Sequence, residues 1–510
     1  MAPDPTKTSR YIETERKFEV VENTVAPSFA GLSAVARVER SLSQSLDAVY
    51  FDTPARDLSR HRITLRRRTG GTDAGWHVKL PAGPDSRTEV RAPLEDDSDE
   101  AADRDHTPIV PEGIRDVVLA IVRDKTLTPV ARISTVRTVE TLYGIDGAQL
   151  AEFCDDEVSA SAEGGEEVRW REWELELAPG ADPDLFDRLT NRLVDAGAQP
   201  AGHGSKLARV LSAEPAAEQT PAPADPLHRA IAGHVTELLE WDRAVRADVE
   251  DSVHQMRVTV RKIRSLLQSS EGSFGITDDD WVLDELRELG AVLGIARDAE
   301  VLAERYQRAL DALPADEVRG PIHARLVEGA QKRYLTGWKR SLTAMRSPRY
   351  FRLLDALEAL AVTEPGSVGP QAGKTEDQVE SAYRRVRKAV KAARAAAEGA
   401  EVDGPEADEA LHRIRKRAKR LRYTAAATDS TKVADRAKTV QSLLGDHQDS
   451  VVSRAHLIRQ AELAHAAGED TFTYGLLYQQ ERDLAHRCED QLDAALKGLD
   501  KAVAKATKGG

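Results

Sequence analysis

The sequence predicts an α+β protein in which an antiparallel sheet, curled into a barrel, is followed by an all-helical region. Three observations indicate this fold class. Residues 10–211 contain eight short strand-like segments with few helices between them, an order typical of antiparallel barrels. From Leu227 onward the pattern becomes nearly all helical. Between the two regions, Ser212–Pro226 is rich in Ala and Pro and lacks large apolar residues, as expected of a semi-rigid linker.

Alternating polarity and a high content of aromatic and β-branched residues identify the strands. The predicted strands are Tyr11–Val21, Asp47–Phe51, Ile63–Arg68, Gly75–Leu80, Thr88–Pro93, Ile133–Tyr143, Gln149–Val158 and Val168–Leu177. Two amphipathic helices interrupt them, one centred on Val118 and one that follows Pro183. The acidic segment Glu95–Asp105 is expected to be a disordered loop.

The helical region contains an internal repeat, which is the first feature to seek in such a sequence. The pattern H-x2-R-x3-R-x2-R at His254–Arg264 recurs as H-x2-R-x3-K-x2-R at His412–Arg422. Downstream, LG-x2-RD-x2-V at Leu293–Val301 recurs as LG-x2-QD-x2-V at Leu444–Val452. Two matches in the same order predict the duplication of a helical unit.

The predicted domains follow from these boundaries. Residues 1–211 form the strand-rich domain and residues 212–226 the linker. The helical domain covers 227–497, with repeats at about 227–362 and 375–497, and residues 498–510 form a flexible tail.

Bulk properties exclude several classes of protein. The formal net charge is −14 over 510 residues. The chain therefore lacks the overall positive charge by which many proteins bind nucleic acids. The two cysteines, Cys154 and Cys488, are far apart in sequence and form neither a disulfide framework nor a zinc motif. Signal-peptide features and long apolar runs are absent from the sequence. We therefore expect a cytoplasmic protein without a membrane anchor.

Charged residues alternate on the predicted strands, so that acids and bases share one face. The alternating sets are Glu13, Glu15 and Lys17; Arg66 and Arg68; His77 and Lys79; Arg87, Glu89 and Arg91; and Glu172, Glu174 and Glu176. Phe18, Val78 and Trp173 lie on the opposite faces. If helices cover the outside of the barrel, the charges face inward. That arrangement is costly unless the acids pair with bases, bind metal or bind a phosphate chain.

The order of these charged motifs resembles the CYTH family of triphosphate tunnel metalloenzymes. The resemblance covers residues 10–211 and rests on Glu13-x-Glu15-x-Lys17, Tyr50–Thr53, Arg66, Arg68, Lys79, Arg87, Glu89, Arg137, Asp156, Glu174, Glu176 and Lys206. It implies an eight-stranded antiparallel tunnel that binds triphosphate through basic residues and divalent cations through acidic residues. Members of the family include inorganic, thiamine and RNA triphosphatases and one class of adenylate cyclase.

The residue types suit this chemistry. A triphosphate carries about four negative charges, to which Arg and Lys donate charge-assisted hydrogen bonds, and Mg²⁺ or Mn²⁺ prefers carboxylate oxygens. The predicted metal ligands are Glu13, Glu15, Asp156, Glu174 and Glu176. The predicted phosphate-binding residues are Lys17, Arg66, Arg68, Lys79, Arg87, Arg137 and Lys206. Catalysis is assigned to Glu13, Glu15, Lys17, Arg66, Arg68, Lys79, Glu174 and Glu176.

Asp155 competes with Asp156 for the acidic position on its strand. Strand alternation places Asp156 on the face of Glu152 and Cys154, which favours Asp156.

The repeated basic motifs predict a second anion-binding region. Residues three, four and seven apart share a helix face, so each motif forms one stripe. The stripes are His254, Arg257, Arg261 and Arg264, and His412, Arg415, Lys419 and Arg422. Residues 227–495 resemble the CHAD domain, which implies two pseudo-symmetric four-helix bundles that bind inorganic polyphosphate through these basic residues.

The sequence thus predicts metal-dependent hydrolysis of inorganic triphosphate in the β-tunnel and binding of polyphosphate by the helical domain. One alternative is a nucleotide-handling tunnel enzyme, either an adenylate cyclase or a nucleoside or thiamine triphosphatase. Another is a non-catalytic polyphosphate-binding adaptor. Retention of the carboxylates argues against the adaptor, and the lack of a separate base-recognition feature argues against the nucleotide enzyme.

Overall fold

The structure, a computed structural model, describes residues 8–94, 108–211, 226–269, 280–362, 375–397, 405–427 and 430–506. The predicted acidic loop and nearly all of the predicted linker lie outside these residues. The chain forms two compact units. The first is Met1–Leu266, Trp281–Leu286 and Leu342–Glu364, and the second is Leu267–Asp280, Arg287–Ser341 and Pro365–Gly510.

The first unit contains a closed antiparallel barrel. Its strands are β1 (Ser9–Val20), β2 (Arg37–Arg40), β3 (Gln44–Asp52), β4 (Thr64–Thr69), β5 (Gly75–Pro81), β6 (Ser86–Ala92), β7 (Thr128–Tyr143), β8 (Gln149–Ala162), β9 (Val168–Leu177) and β10 (Gln199–Pro200). Eight of them follow the order β1-β6-β5-β4-β3-β7-β8-β9, and β9 pairs again with β1 to close the barrel. The predicted α+β class and the eight-stranded tunnel are therefore confirmed.

Differences from the predicted strands occur at their ends and edges. β7 begins five residues before the predicted start at Ile133, and β8 continues four residues beyond Val158, because the ladder between them extends to the pair Ala131–Ala162. The short strands β2 and β10 were not predicted. β2 pairs with β7 and β10 with β1, both outside the eight-strand cycle, and neither has a buried residue that would produce a hydrophobic period.

Four helices belong to the barrel region: α1 (Asp57–Arg60), α2 (Glu112–Val122), α3 (Pro183–Asp195) and α4 (Lys206–Leu211). α3 packs on the outer face, whereas Lys206, Leu207 and Leu211 of α4 line the interior. Phe18, Trp173 and Leu175 point outward and share a buried core with Leu185 and Leu189 of α3. Because alternate residues of a strand point to opposite faces, burial of this apolar set on the outside turns the charged set into the barrel.

The rest of the described chain is helical. It contains α5 (Pro226–Arg246), α6 (Ser252–Ser269), α7 (Trp281–Asp311), a π-helical turn (Ala324–Glu328), α8 (Gly329–Met345), α9 (Pro348–Val362), α10 (Thr375–Ala397), α11 (Pro405–Ala427), α12 (Thr431–Ala466) and α13 (Phe472–Ala506). The repeated motifs occupy corresponding consecutive helices, α6 and α7 in one copy and α11 and α12 in the other.

The second compact unit contains a four-helix bundle formed by α10, α11, α12 and α13. Its core is continuous across all four helices, with Val386 from α10, Ile414 from α11, Val440 from α12 and Leu499 from α13 among its buried residues. The prediction of a flexible tail from residue 498 was wrong for most of its length. α13 continues to Ala506 because Leu499 and Val503, one helical turn apart, are both buried in this core.

Candidate active site inside the barrel

A cavity of about 1620 Å³ runs through the barrel. Its wall includes every residue that was predicted to bind phosphate or to take part in catalysis: Glu13, Glu15, Lys17, Arg66, Arg68, Lys79, Arg87, Arg137, Glu174, Glu176 and Lys206. Thirteen Lys and Arg residues and nine Asp and Glu residues line it, an excess of four positive charges. The whole chain has a net charge of −14, so positive charge is concentrated locally around this cavity.

Strand register explains how residues far apart in sequence meet. β1 lies between β6 and β9, so Glu15 is opposite Glu176 and Lys17 is opposite Glu174. On the other side of β9, β8 brings Asp156 opposite Glu172. The inward residues of three adjacent strands therefore form one acidic wall with a lysine within it.

Lys206 lies at the centre of that wall. Its ammonium group is 2.8 Å from Asp156 Oδ2, 2.8 Å from Glu172 Oε1 and 2.7 Å from Glu174 Oε1. Carboxylate oxygens of these three residues lie within 4.8 Å of one another, close enough to hold a cation. Glu172 had not been predicted as a ligand, and only the fold of α4 across the barrel shows that it belongs to the cluster.

Arg137 is a further base that pairs with the carboxylates of this wall. Its guanidinium donates to both oxygens of Asp156, at 2.7 and 2.6 Å, and to Glu174 at 2.5 Å. Burial opposes ionisation of Glu174, but Lys17, Lys206 and Arg137 together hold its pKa well below the usual value. Glu174 is therefore an ionised carboxylate that orients three basic groups.

The first acidic motif has two different environments. Glu15 is 3.1 Å from the ammonium of Lys17 and 3.6 Å from that of Lys79. These lysines outweigh the effect of burial and lower the pKa of Glu15 to about 2. Glu13 is 2.5 Å from Lys79, but burial dominates and raises its pKa to about 8. Burial also raises the pKa of Glu176. Glu13 and Glu176 therefore hold a proton more readily than Glu15 does.

Arginines on β4 face the cavity from the opposite wall. Arg66 donates to the hydroxyl of Tyr50 at 3.3 Å and lies 3.9 Å from Glu89. Burial, followed by repulsion from Arg66 and Arg137, lowers the pKa of Arg68 to about 9. Cationic groups that crowd one another in this way favour an anion between them.

Glu89 holds the basic groups of this wall in position. Its fully buried carboxylate accepts hydrogen bonds from Tyr11 and Arg91 and lies 3.0 Å from Nδ1 of His77. Burial opposes its ionisation, but His77, Lys79 and Arg66 lower its pKa to about 2. The carboxylate therefore anchors side chains from three neighbouring strands.

The two candidate aspartates of β8 have opposite orientations. Asp155 points outward, where it accepts hydrogen bonds from Arg171 at 2.8 and 2.6 Å and from Trp173 at 3.1 Å. Asp156 points inward and has no exposed surface. The geometry agrees with the alternation of the strand and places Asp156 with the tunnel acids.

The basic stripes lie partly buried on their helices. On α11, the guanidinium of Arg415 packs beside Gly445 of α12, and Arg422 donates to Gln441 at 3.3 Å. The stripe therefore runs along the side of α11 that faces α12, and the arginine of one repeated motif contacts the glycine of the other. On α6, His254, Arg257 and Arg264 are half-buried and Arg261 is exposed.

The comparisons with known proteins agree with this architecture. The CYTH domain profile matches residues 11–194, and the CHAD domain profile matches residues 229–458. The chain belongs to the proteins that combine a CYTH domain with a CHAD domain.

Several proteins are similar to the whole of this chain or to part of it. The uncharacterized proteins MT2285 and Rv2226, from two strains of Mycobacterium tuberculosis, are each 60% identical over 522 residues, which is 99% of this chain and 99% of theirs. PptA from Streptomyces chartreusis has 20% identity and a TM-score of 0.42 over 53% of this chain and 98% of its own. The CHAD domain of Ricinus communis has 23% identity and a TM-score of 0.39 over 54% of this chain and 90% of its own.

No helix in the described part of the chain combines the length and the apolar character needed to cross a membrane.

Proposed function

We propose that the tunnel hydrolyses inorganic triphosphate with Mg²⁺ or Mn²⁺ and that the helical domain binds inorganic polyphosphate. The observation that carries the first part is the charge of the enclosed cavity. Thirteen bases against nine acids leave an excess of four positive charges, which complements the charge of about −4 on a triphosphate. Membership in the CYTH family supports a tunnel that handles triphosphate-type substrates.

The residues present fit a divalent cation. Glu13 and Glu176, whose pKa values are raised by burial, are the tunnel carboxylates for which added positive charge is most favourable. Glu15 lies opposite Glu176 on the neighbouring strand and supplies further oxygens, the ligands that Mg²⁺ and Mn²⁺ prefer. A bound cation would neutralise phosphate charge as the P–O bond breaks.

The chain itself supplies binding and orientation. Lys17, Arg66 and Arg137 hold phosphate oxygens from different sides of the bore, so that a linear triphosphate is extended along it. Glu174 keeps Lys17, Lys206 and Arg137 charged and fixed in position. Hydrolysis consumes one water, breaks one P–O–P linkage of the triphosphate and yields phosphate and pyrophosphate, and it requires no side-chain nucleophile.

The lining favours a phosphate chain over a nucleotide. Among the described residues of the cavity wall, Tyr50 carries the one phenyl or indole ring, and its hydroxyl is bound by Arg66. Stacking on an aromatic side chain is a common way to hold a base, so the wall offers a nucleobase little beyond its phosphates. The adenylate cyclase and nucleoside or thiamine triphosphatase alternatives therefore rank lower.

Polyphosphate binding by the helical domain rests on the repeated stripes. A polyanion matches half-buried Arg, Lys and His side chains that follow one helix face, since each contributes a charge-assisted hydrogen bond. Membership in the CHAD family supports the assignment. A cytoplasmic location remains a prediction of the sequence.

A substrate panel tests the proposal. Phosphate release from inorganic triphosphate, ATP and thiamine triphosphate is measured side by side with Mg²⁺ and with Mn²⁺. We expect the highest kcat/KM for inorganic triphosphate and no activity after chelation of the metal. Formation of cyclic AMP from ATP, or a higher kcat/KM for a nucleotide, would overturn the ranking.

A further inference from the structure

One end of the tunnel is built partly by a helix of the CHAD region. α9 belongs to the same compact unit as the barrel, and its Asp355 and Glu358 line the cavity together with His61 and Arg123. Tyr350 of α9 donates to the buried Asp242 of α5 at 2.9 Å, which fixes the helix in place. We refer to the surroundings of His61, Arg123, Asp355 and Glu358 as the α9 mouth.

Arg123 is the fixed element of the α9 mouth. Its side chain is only 5% exposed, and it donates to Asp355 at 2.5 Å and to Glu358 at 2.6 Å. Its backbone has φ 57° and ψ −127°, a conformation that a residue with a side chain adopts only when the surrounding structure imposes it. The surrounding structure therefore holds the backbone at Arg123, and its buried side chain lies at the cavity wall.

The two carboxylates are less constrained than the arginine. Asp355 is 57% exposed and Glu358 is 31% exposed, and ion pairs with solvent-exposed partners are individually weak. Nε of Arg123 and Oε1 of Glu358 are buried without a hydrogen-bond partner among the described residues. Nε of the buried Arg123 can therefore still donate a hydrogen bond. The present partners of Arg123, Asp355 and Glu358, are partly exposed to solvent and only weakly held.

The cavity is larger than a triphosphate requires. Its volume of about 1620 Å³ exceeds the roughly 1,000 Å³ at the upper end for pockets that hold drug-sized ligands. It extends continuously from the charged bore to Arg123, where Arg60, Arg62 and Lys125 also line the wall.

We propose that the α9 mouth is an anion subsite for phosphate units beyond the bore, where Asp355 and Glu358 occupy Arg123 until a longer phosphate chain replaces them. The inference rests on the proposed triphosphatase function and extends its substrate class to linear polyphosphates longer than triphosphate. Phosphate oxygens suit the position because a guanidinium can bind them through two N–H groups at once. The two terminal nitrogens of Arg123 now donate one hydrogen bond each to Asp355 and Glu358.

Two variants with opposite expected effects test the subsite. In Arg123→Gly the guanidinium is lost while the positive φ is readily accommodated, and the remaining carboxylates repel a polyanion. In the double variant Asp355→Asn and Glu358→Gln the arginine is free of competing charge. Asp116→Asn is the control, because its ion pair with Arg346 also connects α2 to the segment before α9 but does not line the cavity.

The measurement is kcat/KM for inorganic triphosphate and for size-fractionated linear polyphosphates of graded length, in the full chain. For the longer chains we expect about a tenfold loss with R123G, the usual effect of one charge-assisted contact, and a gain with D355N/E358Q. The ratio of the longer-chain value to the triphosphate value should fall in R123G and rise in D355N/E358Q, and the D116N control should keep that ratio within about twofold of wild type. Unchanged length dependence in both test variants, or equal losses for all lengths, would overturn the subsite.

Binding measurements separate this inference from the proposed function. If the wild type hydrolyses none of these chains, the proposed triphosphatase activity fails. Calorimetric titration of the same chain lengths into wild type, R123G and D355N/E358Q then decides the subsite by itself. Weaker binding of longer chains to R123G and tighter binding to the double variant support the subsite, and identical isotherms contradict it.

Discussion

The tunnel and the helical region both concentrate basic residues, but by different physical means. In the tunnel, Lys17, Arg137 and Lys206 are paired with buried carboxylates that come from other elements of the barrel. On α11, the bases follow one another along a single helix, and no acid occurs between residues 411 and 423. The arrangement of charges in the tunnel therefore depends on the closed fold, whereas the alignment of the bases on α11 requires only the helix. Substitutions in the tunnel should affect stability and activity together, and substitutions on α11 should affect binding alone.

The largest expected effect is on activity. Replacing both carboxylates of the first motif, Glu13→Gln and Glu15→Gln, removes two of the three proposed cation ligands while preserving side-chain volume. We expect triphosphate hydrolysis to fall by at least about 1,000-fold, equivalent to roughly 4 kcal/mol of transition-state stabilisation. Phosphate release under steady-state conditions measures this loss. Polyphosphate binding should be unchanged, and retained turnover would refute the metal assignment.

The next effect is on stability. Lys206→Met leaves Asp156, Glu172 and Glu174 without their shared ammonium group in a buried site. Breaking a buried ion pair from one side costs about 3–5 kcal/mol, so the free energy of unfolding should fall by an amount in that range. Chemical denaturation measures it.

The matched control for this change is Arg169→Met. Arg169 lies 2.7 Å from Glu167, but the two side chains are 79% and 54% exposed, and such solvent-screened pairs contribute little to stability. If the two variants lost equal stability, burial of the Lys206 cluster would not be the cause.

A smaller effect on kcat/KM is expected to distinguish variants of two adjacent residues of β8. Asp156→Asn reduces the charge that holds Arg137 and Lys206, so we expect kcat/KM for triphosphate to fall by about tenfold or more. Asp155→Asn alters an outward contact with Arg171 and Trp173, and its kcat/KM should remain near wild type. The reverse order of effects would show that the strand faces have been assigned to the wrong roles.

The smallest expected effect concerns α11. The triple variant Arg415→Gln, Lys419→Gln and Arg422→Gln should weaken polyphosphate binding by about tenfold and reduce its salt dependence, because fewer counterions are released. Triphosphate hydrolysis should be unaffected. Binding to a polyphosphate-coated surface at several salt concentrations measures the change.

A second triple variant provides an equal change in charge on another face of α11. Arg413→Gln, Arg417→Gln and Arg420→Gln alter residues that are exposed on the helix surface. They should weaken binding less than the stripe variant. Equal weakening would indicate that polyphosphate responds to the total charge of the helix and not to the repeated motif.

Much of the tunnel could be predicted because it follows from local pattern. Strand alternation determines which side of β1, β4, β8 and β9 each residue occupies, and it is enough to distinguish Asp156 from Asp155. The repeats were likewise visible, since helical spacing is a property of the sequence alone.

The remaining features depend on tertiary packing. Strand alternation places Glu172 on the face of Glu174, but its ion pair with Lys206 depends on how α4 packs in the barrel. The contribution of α9 to the tunnel mouth is equally non-local, since more than 230 residues separate Arg123 from Glu358. The prediction of a flexible tail at the end of α13 was wrong because it rested on the Lys-rich composition of this segment. Burial of Leu499 and Val503 stabilises the last turns of the helix.

The central claim is that the charged strand faces meet in one bore that binds a triphosphate and its cation. A crystal structure with Mn²⁺ and the non-hydrolysable analogue imidotriphosphate tests it most directly. The account predicts an anomalous Mn²⁺ peak beside Glu13, Glu15 and Glu176, with the analogue inside the barrel in contact with Lys17, Arg66 and Arg137. An analogue bound only outside the barrel, or a cation bound away from these carboxylates, would contradict it.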